Sequence, residues 1–133
     1  MEYTSDLLDP ARANALKATL GLPTQIIPGS PLPPFFHQIY FWNPRPATAL
    51  GRDGHPATGS ALIPDFGLPR RRWAGGQLSF HAPLLAGHKA VKHTTLAKAQ
   101  KKQGRSGPLA FVTLRHDILQ DGALKLTEYQ DLV

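Results

Sequence analysis

The 133-residue chain has no cysteine, which excludes disulfides, thiolate nucleophiles and cysteine-held zinc or iron-sulfur centres. It also has no apolar run near the roughly 18 to 20 residues that span a bilayer. Its first ten residues carry Glu2, Asp6 and Asp9 where a secretory signal carries basic residues. These absences lead to the expectation of a cytoplasmic protein with no membrane segment. Charge is scarce, at 18% of residues, and one sign of it is missing over a long stretch, because no Asp or Glu occurs between positions 66 and 116. Arg70, Arg71, Arg72, Lys89, Lys92, Lys98, Lys101, Lys102, Arg105 and Arg115 all fall in that interval, while the acids gather at the two ends. Such a field suits an anionic partner such as nucleic acid, cofactor phosphates or an acidic carrier protein, and it also serves as a solvated basic face. Familiar site motifs are missing too. The six histidines include no HExxH, His88 and His93 stand five apart, and there is no P-loop, dinucleotide GxGxxG or G-x-S-x-G elbow.

What is present centres on residues 68–85, LPRRRWAGGQLSFHAPLL. Arg70, Arg71 and Arg72 lead into Trp73 and the Gly75–Gly76 pair, and then Leu78 and Phe80 alternate with Gln77, Ser79 and His81. Period-two alternation predicts a strand with one buried face. The cationic cluster and the glycines before it suit a phosphate-bearing ligand along one edge.

Around this stretch the length fits one domain with one hydrophobic core. Residues 7–20 predict a helix with Asp9 as cap, Pro10 at the first position, Ala13, Leu16 and Leu20 near one face, and Gly21 as the stop. Residues 23–34 are broken by prolines into an extended connection. Residues 35–42, FFHQIYFW, then concentrate five of the eleven aromatic side chains and predict a short buried helix or a strand, with His37 inside it as a core or ligand-facing residue. Residues 43–69 are a long loop rich in proline and glycine, in which Arg52, Asp53 and His55 occupy a turn and can touch a substrate or simply make a polar loop. Strands follow at 90–99, at 109–114 with an extension to 119, and from 124 onward; residues 83–88 and 120–122 are turns and 101–108 a connection. The outline is α+β, with a helix, an aromatic segment, a long loop and four antiparallel strands. The basic stretch also permits a nucleic-acid-binding module, although the aromatics lie mainly in 35–42, away from the lysines.

Five blocks carry a family resemblance: DLLDPARANALKATLG, PGSPLPPFFHQIYFW, ALGRDGHPATG, LPRRRWAGGQLSFHAPLLAG and the ending GRSGPLAFVTLRHDILQDGALKLTEYQDLV. Together they resemble the N-terminal half of the MaoC-type, fatty-acid-synthase-like dehydratases. That group includes mesaconyl-C4-CoA and itaconyl-CoA hydratases and mitochondrial-type 3-hydroxyacyl-thioester dehydratases. The resemblance implies a hot-dog fold, an antiparallel sheet wrapped around a helix, with residues 34–42 in the helical region and the sheet starting at Trp73. It implies residues 1–133 as a single domain and a second hot-dog domain or subunit as partner, with the active site and pantetheine tunnel at their junction. Self-association as a homodimer is the other expected assembly.

The family's catalytic signature is an aspartate with a histidine five residues later, and here no aspartate has that neighbour. A thioester hydratase needs a base, an acid and a donor for the developing enolate oxygen. The expectation is therefore a non-catalytic, pocket-forming half or subunit of an acyl-CoA hydratase or dehydratase, with the thioester as substrate and no further cofactor or metal. Arg70, Arg71, Arg72, Lys89 and Lys92 are candidates for the CoA phosphates, and Phe35, Phe36, Tyr40 and Trp73 for the pocket wall. The alternatives are a homodimeric hydratase that pairs His37, His55 or His81 with Asp53 or Asp65, and a CoA- or nucleic-acid-binding protein without activity.

Overall fold

The computed structural model describes residues 1–57, 62–68 and 70–133. Five strands, β1 (Glu2–Asp6), β2 (Trp73–Phe80), β3 (Ala90–Gly104), β4 (Gly107–Gln120) and β5 (Ala123–Leu132), form one antiparallel sheet in the order β1-β3-β4-β5-β2. The centre of the sheet is β4. Its Val112, Leu114, His116, Ile118 and Gln120 are buried while the residues between them are half-buried, so the alternation of a strand with one covered face is clearest here. The connection expected at 101–108 is mostly strand, since β3 and β4 continue until only Arg105 and Ser106 remain as the hairpin turn.

Two strand expectations need correction. β1 is missing from the sequence-based outline, because its inward positions are Glu2, Thr4 and Asp6 and no apolar alternation marks them. β2 forms as predicted but lies at the sheet margin, paired only with β5, and it is not a core strand. With a neighbour on one side only, Leu78 is half-buried, and Trp73 and Phe80 remain 57% and 51% exposed. The glycine pair does allow close packing, at one of its two positions: a Cβ on Gly76 would meet the Tyr129 carbonyl oxygen at 2.7 Å, whereas Gly75 has room.

One half of the sheet's covered face carries the main core. Helix α1 (Pro10–Thr19) is capped by Asp9, whose carboxylate accepts the Ala11 N–H at 2.9 Å. It buries only Ala13, and Leu20 points to solvent, 58% exposed. The aromatic segment packs on the sheet instead, as a single 3₁₀ turn at Phe36–Ile39, and places Phe36, Tyr40 and Phe41 among Leu8, Ile118 and Leu126. Asp6 ties this segment to β1: one oxygen accepts the Leu8 N–H and the other the Phe41 N–H, both at 2.9 Å. Leu8 and Phe41 are in the left-handed region, with φ of 50° and 62°, and these two bonds hold them there.

The other half is covered by the long loop. Ala47–Ala49 makes a 3₁₀ turn, Leu50 and Pro56 form an isolated bridge, and Leu62, Ile63 and Phe66 pack on Val112, Leu114 and Leu132. The loop expectation for residues 43–69 thus meets a partly structured cover; residues 58–61 and Pro69 lie outside the described residues. The whole is an α+β hot-dog arrangement, an antiparallel sheet closed over a short helical segment. No helix among the described residues is long and apolar enough to cross a membrane.

Candidate functional site

Under the loop cover lies a cavity of about 410 Å³. Its floor is Ala110, Val112 and Leu132 on β4 and β5, and Ile63, Phe66 and Leu68 form an apolar wall. Arg52, Arg70 and Arg71 stand on its rim with Asp53 and Asp65, and no histidine among the described residues lines it. Arg71 also donates to the Pro56 carbonyl at 3.0 Å, holding one loop strand to the other. A second, smaller pocket of about 180 Å³ adjoins it, sharing Pro56, Ile63 and Arg71, and reaches Lys92, Thr94 and His116. A third, of about 310 Å³, lies at the β2 edge between Phe35, His37, Phe80 and His81.

The structure distributes the sequence-predicted residues unevenly. Of the five cationic candidates, Arg70 and Arg71 line the large cavity and Lys92 the small pocket. Arg72 instead continues the β2 pairing, its backbone exchanging bonds of 2.8 and 2.9 Å with Val133, and exposed Lys89 lines none of the three. Phe35 lines the β2-edge pocket and stacks edge-on against Phe80, with ring centroids 6.0 Å apart. Phe36 and Tyr40 are core residues, and the Tyr40 hydroxyl donates to the Asp9 carbonyl at 2.6 Å. Trp73 is exposed, with its indole N–H on the Gly75 carbonyl at 3.0 Å.

Asp53 and His55 do meet, at 3.2 Å between Oδ2 and Nδ1. The His55 backbone N–H also donates to Asp53 at 3.0 Å, and these bonds, the backbone one foremost, hold the Asp53 carboxyl below its ordinary pKa. The pair closes an exposed turn at the cavity mouth. Asp65 lines the same cavity, whereas His37 and His81 line the pocket at the β2 edge, so among the described residues neither histidine shares one of these three cavities with Asp53 or Asp65 within one chain.

A buried carboxylate with two side-chain partners is not among the sequence candidates. Glu128, buried on β5, accepts from His37 Nε2 at 3.2 Å and from the Gln38 amide at 2.9 Å. Burial alone would raise its pKa; the His37 and Gln38 bonds outweigh that, and the carboxyl lies below its ordinary range. Beside it in the sheet register, His116 bridges Thr94 and Gln130, with 2.8 Å on each ring nitrogen. The Gln130 carbonyl oxygen can only accept, so Nε2 carries a hydrogen, and in the neutral ring Nδ1 accepts from the Thr94 hydroxyl. Burial, which lowers the His116 pKa, favours that neutral form. Lys92 lies on the same inward face, its ammonium 5.6 Å from the centre of the Phe41 ring, and burial lowers its pKa against the more distant pull of Glu128 and Glu2. These three positions have one sequence signal: each is a polar residue in the inward phase of a strand. Among the described residues no cluster of three or more His, Asp or Glu is placed to hold a metal ion.

A protein-family model described as hydroxyacyl-thioester dehydratase type 2 matches residues 35–133. The mesaconyl-C(4)-CoA hydratase of Chloroflexus aurantiacus is 42% identical over 136 residues, which takes in 99% of this chain and 47% of that protein. The chain thus spans about half the length of this relative. Among solved structures, the ChsH1-ChsH2 complex from Mycobacterium tuberculosis matches with a TM-score of 0.66 at 14% identity, over 98% of this chain and 81% of that chain. The (R)-hydratase from A. caviae involved in PHA biosynthesis matches with a TM-score of 0.53 at 18% identity, over 98% and 91%. These two structures speak to the fold, and the family model and the curated relative to the family.

Proposed function

The chain belongs to the hydroxyacyl-thioester dehydratase type 2 family, and we propose that it is the non-catalytic, pocket-forming half or subunit of an enoyl-CoA hydratase or dehydratase. One observation carries this reading: the largest of the three cavities described joins an apolar floor to a rim of Arg52, Arg70 and Arg71 and contains no histidine among the described residues. Guanidinium forks suit the phosphates of CoA, and the apolar wall suits the pantetheine arm and acyl chain. Hydration of an enoyl thioester places hydroxide on the β-carbon and a proton on the α-carbon, with negative charge gathering on the thioester oxygen in between. This chain binds and orients the thioester and keeps bulk water from it; the acid and base come from a second hot-dog domain or subunit. The missing aspartate–histidine spacing fits that division, as does a hydratase relative about twice as long. The similar ChsH1-ChsH2 structure is itself a complex of two proteins. Here the margins open to a partner are β1 and β2. We assign residues 1–133 to one domain, acyl-CoA as the substrate, and the cytoplasm as the location. The exposed His55–Asp53 contact favours a second reading, a homodimer with an atypical acid–base pair at the cavity mouth.

Loss of the conjugated-thioester absorbance of mesaconyl-CoA and crotonyl-CoA tests the assignment. The expected result is no turnover by the chain alone and turnover once a catalytic hot-dog partner is added. A rate from the chain alone that disappears with His55→Ala overturns the non-catalytic reading in favour of the second.

A further inference from the structure

The pocket at the β2 edge, at the margin of the packed half, contains a polar atom that the protein leaves unused. His37 is only 5% exposed, and its Nε2 faces Glu128 Oε1 at 3.2 Å. The Glu128 carboxyl lies below its ordinary pKa range, so at neutral pH it is a carboxylate that can only accept, and Nε2 carries the hydrogen. The other ring nitrogen, Nδ1, has no hydrogen bond among the described residues. No fully buried side-chain nitrogen or oxygen among the described residues lacks a partner, so Nδ1 opens onto space, and of the three cavities His37 lines only this one. In the neutral ring that nitrogen is a bare acceptor, fixed in direction by the carboxylate behind it. The space around it is about 310 Å³ and apolar; exposed His81 is the other polar side chain on its lining, and no lysine, arginine, aspartate or glutamate lines it among the described residues. Its walls are already in place. Pro33, Pro34 and Pro83 are stiff, and the Leu32 N–H donates to the Leu84 carbonyl at 2.7 Å, tying the proline segment to the turn after β2. Phe35 and Phe80 border the pocket where it meets solvent, 54% and 51% exposed, with their rings set edge to face at 71°. Phe35 keeps this place in the left-handed region, with φ of 73°, a strained conformation for a residue with a side chain, and core packing does not account for it because the ring lies outside the core.

We propose that this pocket binds a small neutral aromatic molecule bearing a hydroxyl group, a phenol, with its ring in the corner between Phe35 and Phe80 and its hydroxyl donating to His37 Nδ1. Each part of that ligand answers a feature of the site. A flat ring suits a corner in which one wall ring stacks on it and the other meets its edge. A hydroxyl supplies the donor that a nearly buried acceptor otherwise lacks. A phosphate, carboxylate or ammonium would shed its water here with no opposite charge to meet it. The pocket shares no lining residue with the cavity under the loop, and the assignment does not depend on the thioester reading.

Binding of p-cresol to the full chain, with p-xylene as the same shape without the hydroxyl, tests the site. Ring ¹⁵N spectra of the histidines, assigned through bonds from the backbone, report hydrogen bonding at each nitrogen. The Nδ1 signal of His37 is expected to move toward the hydrogen-bonded position with p-cresol and not with p-xylene. Calorimetry is expected to give p-cresol about tenfold tighter binding than p-xylene, the share of one net hydrogen bond. His37→Leu is expected to remove that preference, and Phe80→Ala, at an exposed site, to weaken both ligands. Far-ultraviolet circular dichroism checks that the variants fold; if His37→Leu does not, the wild-type spectra and Phe80→Ala decide. CoA in excess is expected to leave the p-cresol affinity unchanged, and competition would make the pocket part of the thioester site and overturn its separate assignment. Equal affinities for the two ligands, or a shift at another histidine with His37 unmoved, overturn the proposal. Absence of binding overturns it as well, and if Phe80→Ala then lowers the mass measured in solution, the occupant of the pocket is a second copy of the chain.

Discussion

The two halves of the sheet's covered face are built from the same strands and serve different ends. Under the aromatic segment Leu8, Ala13 and Ile118 are fully buried, and Leu126 and Ala90 nearly so, because the chain packs α1, the 3₁₀ turn and residues 84–86 over them. Under the long loop Val112, Leu114 and Leu132 pack, among the described residues, against half-buried Leu62, Ile63, Phe66 and Leu96, and a cavity of about 410 Å³ remains. Between them runs the polar row of Thr94, His116, Glu128 and Gln130. Apolar burial stabilises most where no space is left, and a site needs space. The fold therefore concentrates its packed apolar core in one half and leaves open space in the other.

This division predicts unequal costs for similar deletions. Ile118→Ala, at a site with no exposure, removes a fully packed side chain and is expected to cost about 4 kcal/mol. Val112→Ala, on the cavity floor, is expected to cost about 1 kcal/mol, because its side chain already borders empty space. Urea unfolding of the two variants gives the comparison directly, and equal losses would show that the loop half is as tightly packed as the other. Glu128→Ala comes next: it takes from buried His37 and exposed Gln38 their shared acceptor, at an expected cost of about 3 kcal/mol.

The fold is readable wherever apolar periodicity and turn residues coincide. The α1 cap, the core role of Phe36, Tyr40 and Phe41 and the run of antiparallel strands follow from that pattern, whereas Phe35 and Trp42, expected to be buried with them, are 54% and 68% exposed. What stays hidden has polar residues in apolar phase. β1 faces inward with Glu2, Thr4 and Asp6; Lys92 and Thr94 on β3, His116 and Gln120 on β4, and Glu128 and Gln130 on β5 are mixed with apolar residues in the inward rows. A hydropathy reading takes these as solvent-facing positions. Only the sheet register, which sets Thr94 opposite His116 and His116 opposite Glu128, shows them as one row. The organising role expected of residues 68–85 fails for a related reason: alternation identifies a strand but not its place in the sheet, and β2 is at the margin. The cationic candidates are found as a group because charge is legible in composition. Which of them turn toward a cavity depends on the backbone, and Arg72, in β-pairing with Val133, does not.

The polar row also separates the halves by pH. His116 has its folded pKa lowered by burial, so below the ordinary histidine value of about 6.5 the unfolded chain takes up a proton first. Its share of stability is complete above that pH and is lost as pH falls toward the folded value. Burial raises the Glu128 pKa less than its bonds to His37 and Gln38 lower it. Its share is therefore complete above the ordinary glutamate value of about 4.3 and is lost as pH drops through the folded one. Stability measured from about pH 7.5 to about pH 3.5 is expected to fall in two stages, with His116→Gln removing the upper and Glu128→Ala the lower. A single stage that neither variant alters would mean that the row does not govern the acid response.

The smallest effect on stability is expected where the effect on binding is largest. Arg52 and Arg70 are exposed on the cavity rim and hold no hydrogen bond or ion pair among the described residues, so neutralising them together should change unfolding free energy by no more than about 0.5 kcal/mol. Their position gives them a different measurable role. If they meet CoA phosphates, Arg52→Gln with Arg70→Gln weakens CoA binding by about tenfold or more and flattens its dependence on salt, since salt screens the attraction between each guanidinium and the phosphate it meets. Lys98→Gln with Lys102→Gln, which removes the same charge from the far end of β3 and lines none of the three cavities, is the control. Equal weakening by both pairs would assign the attraction to the overall basic field. Weakening by the rim pair alone would assign it to the cavity, with stability unchanged in both cases and the loop half thereby shown to bind independently of the half that holds the fold.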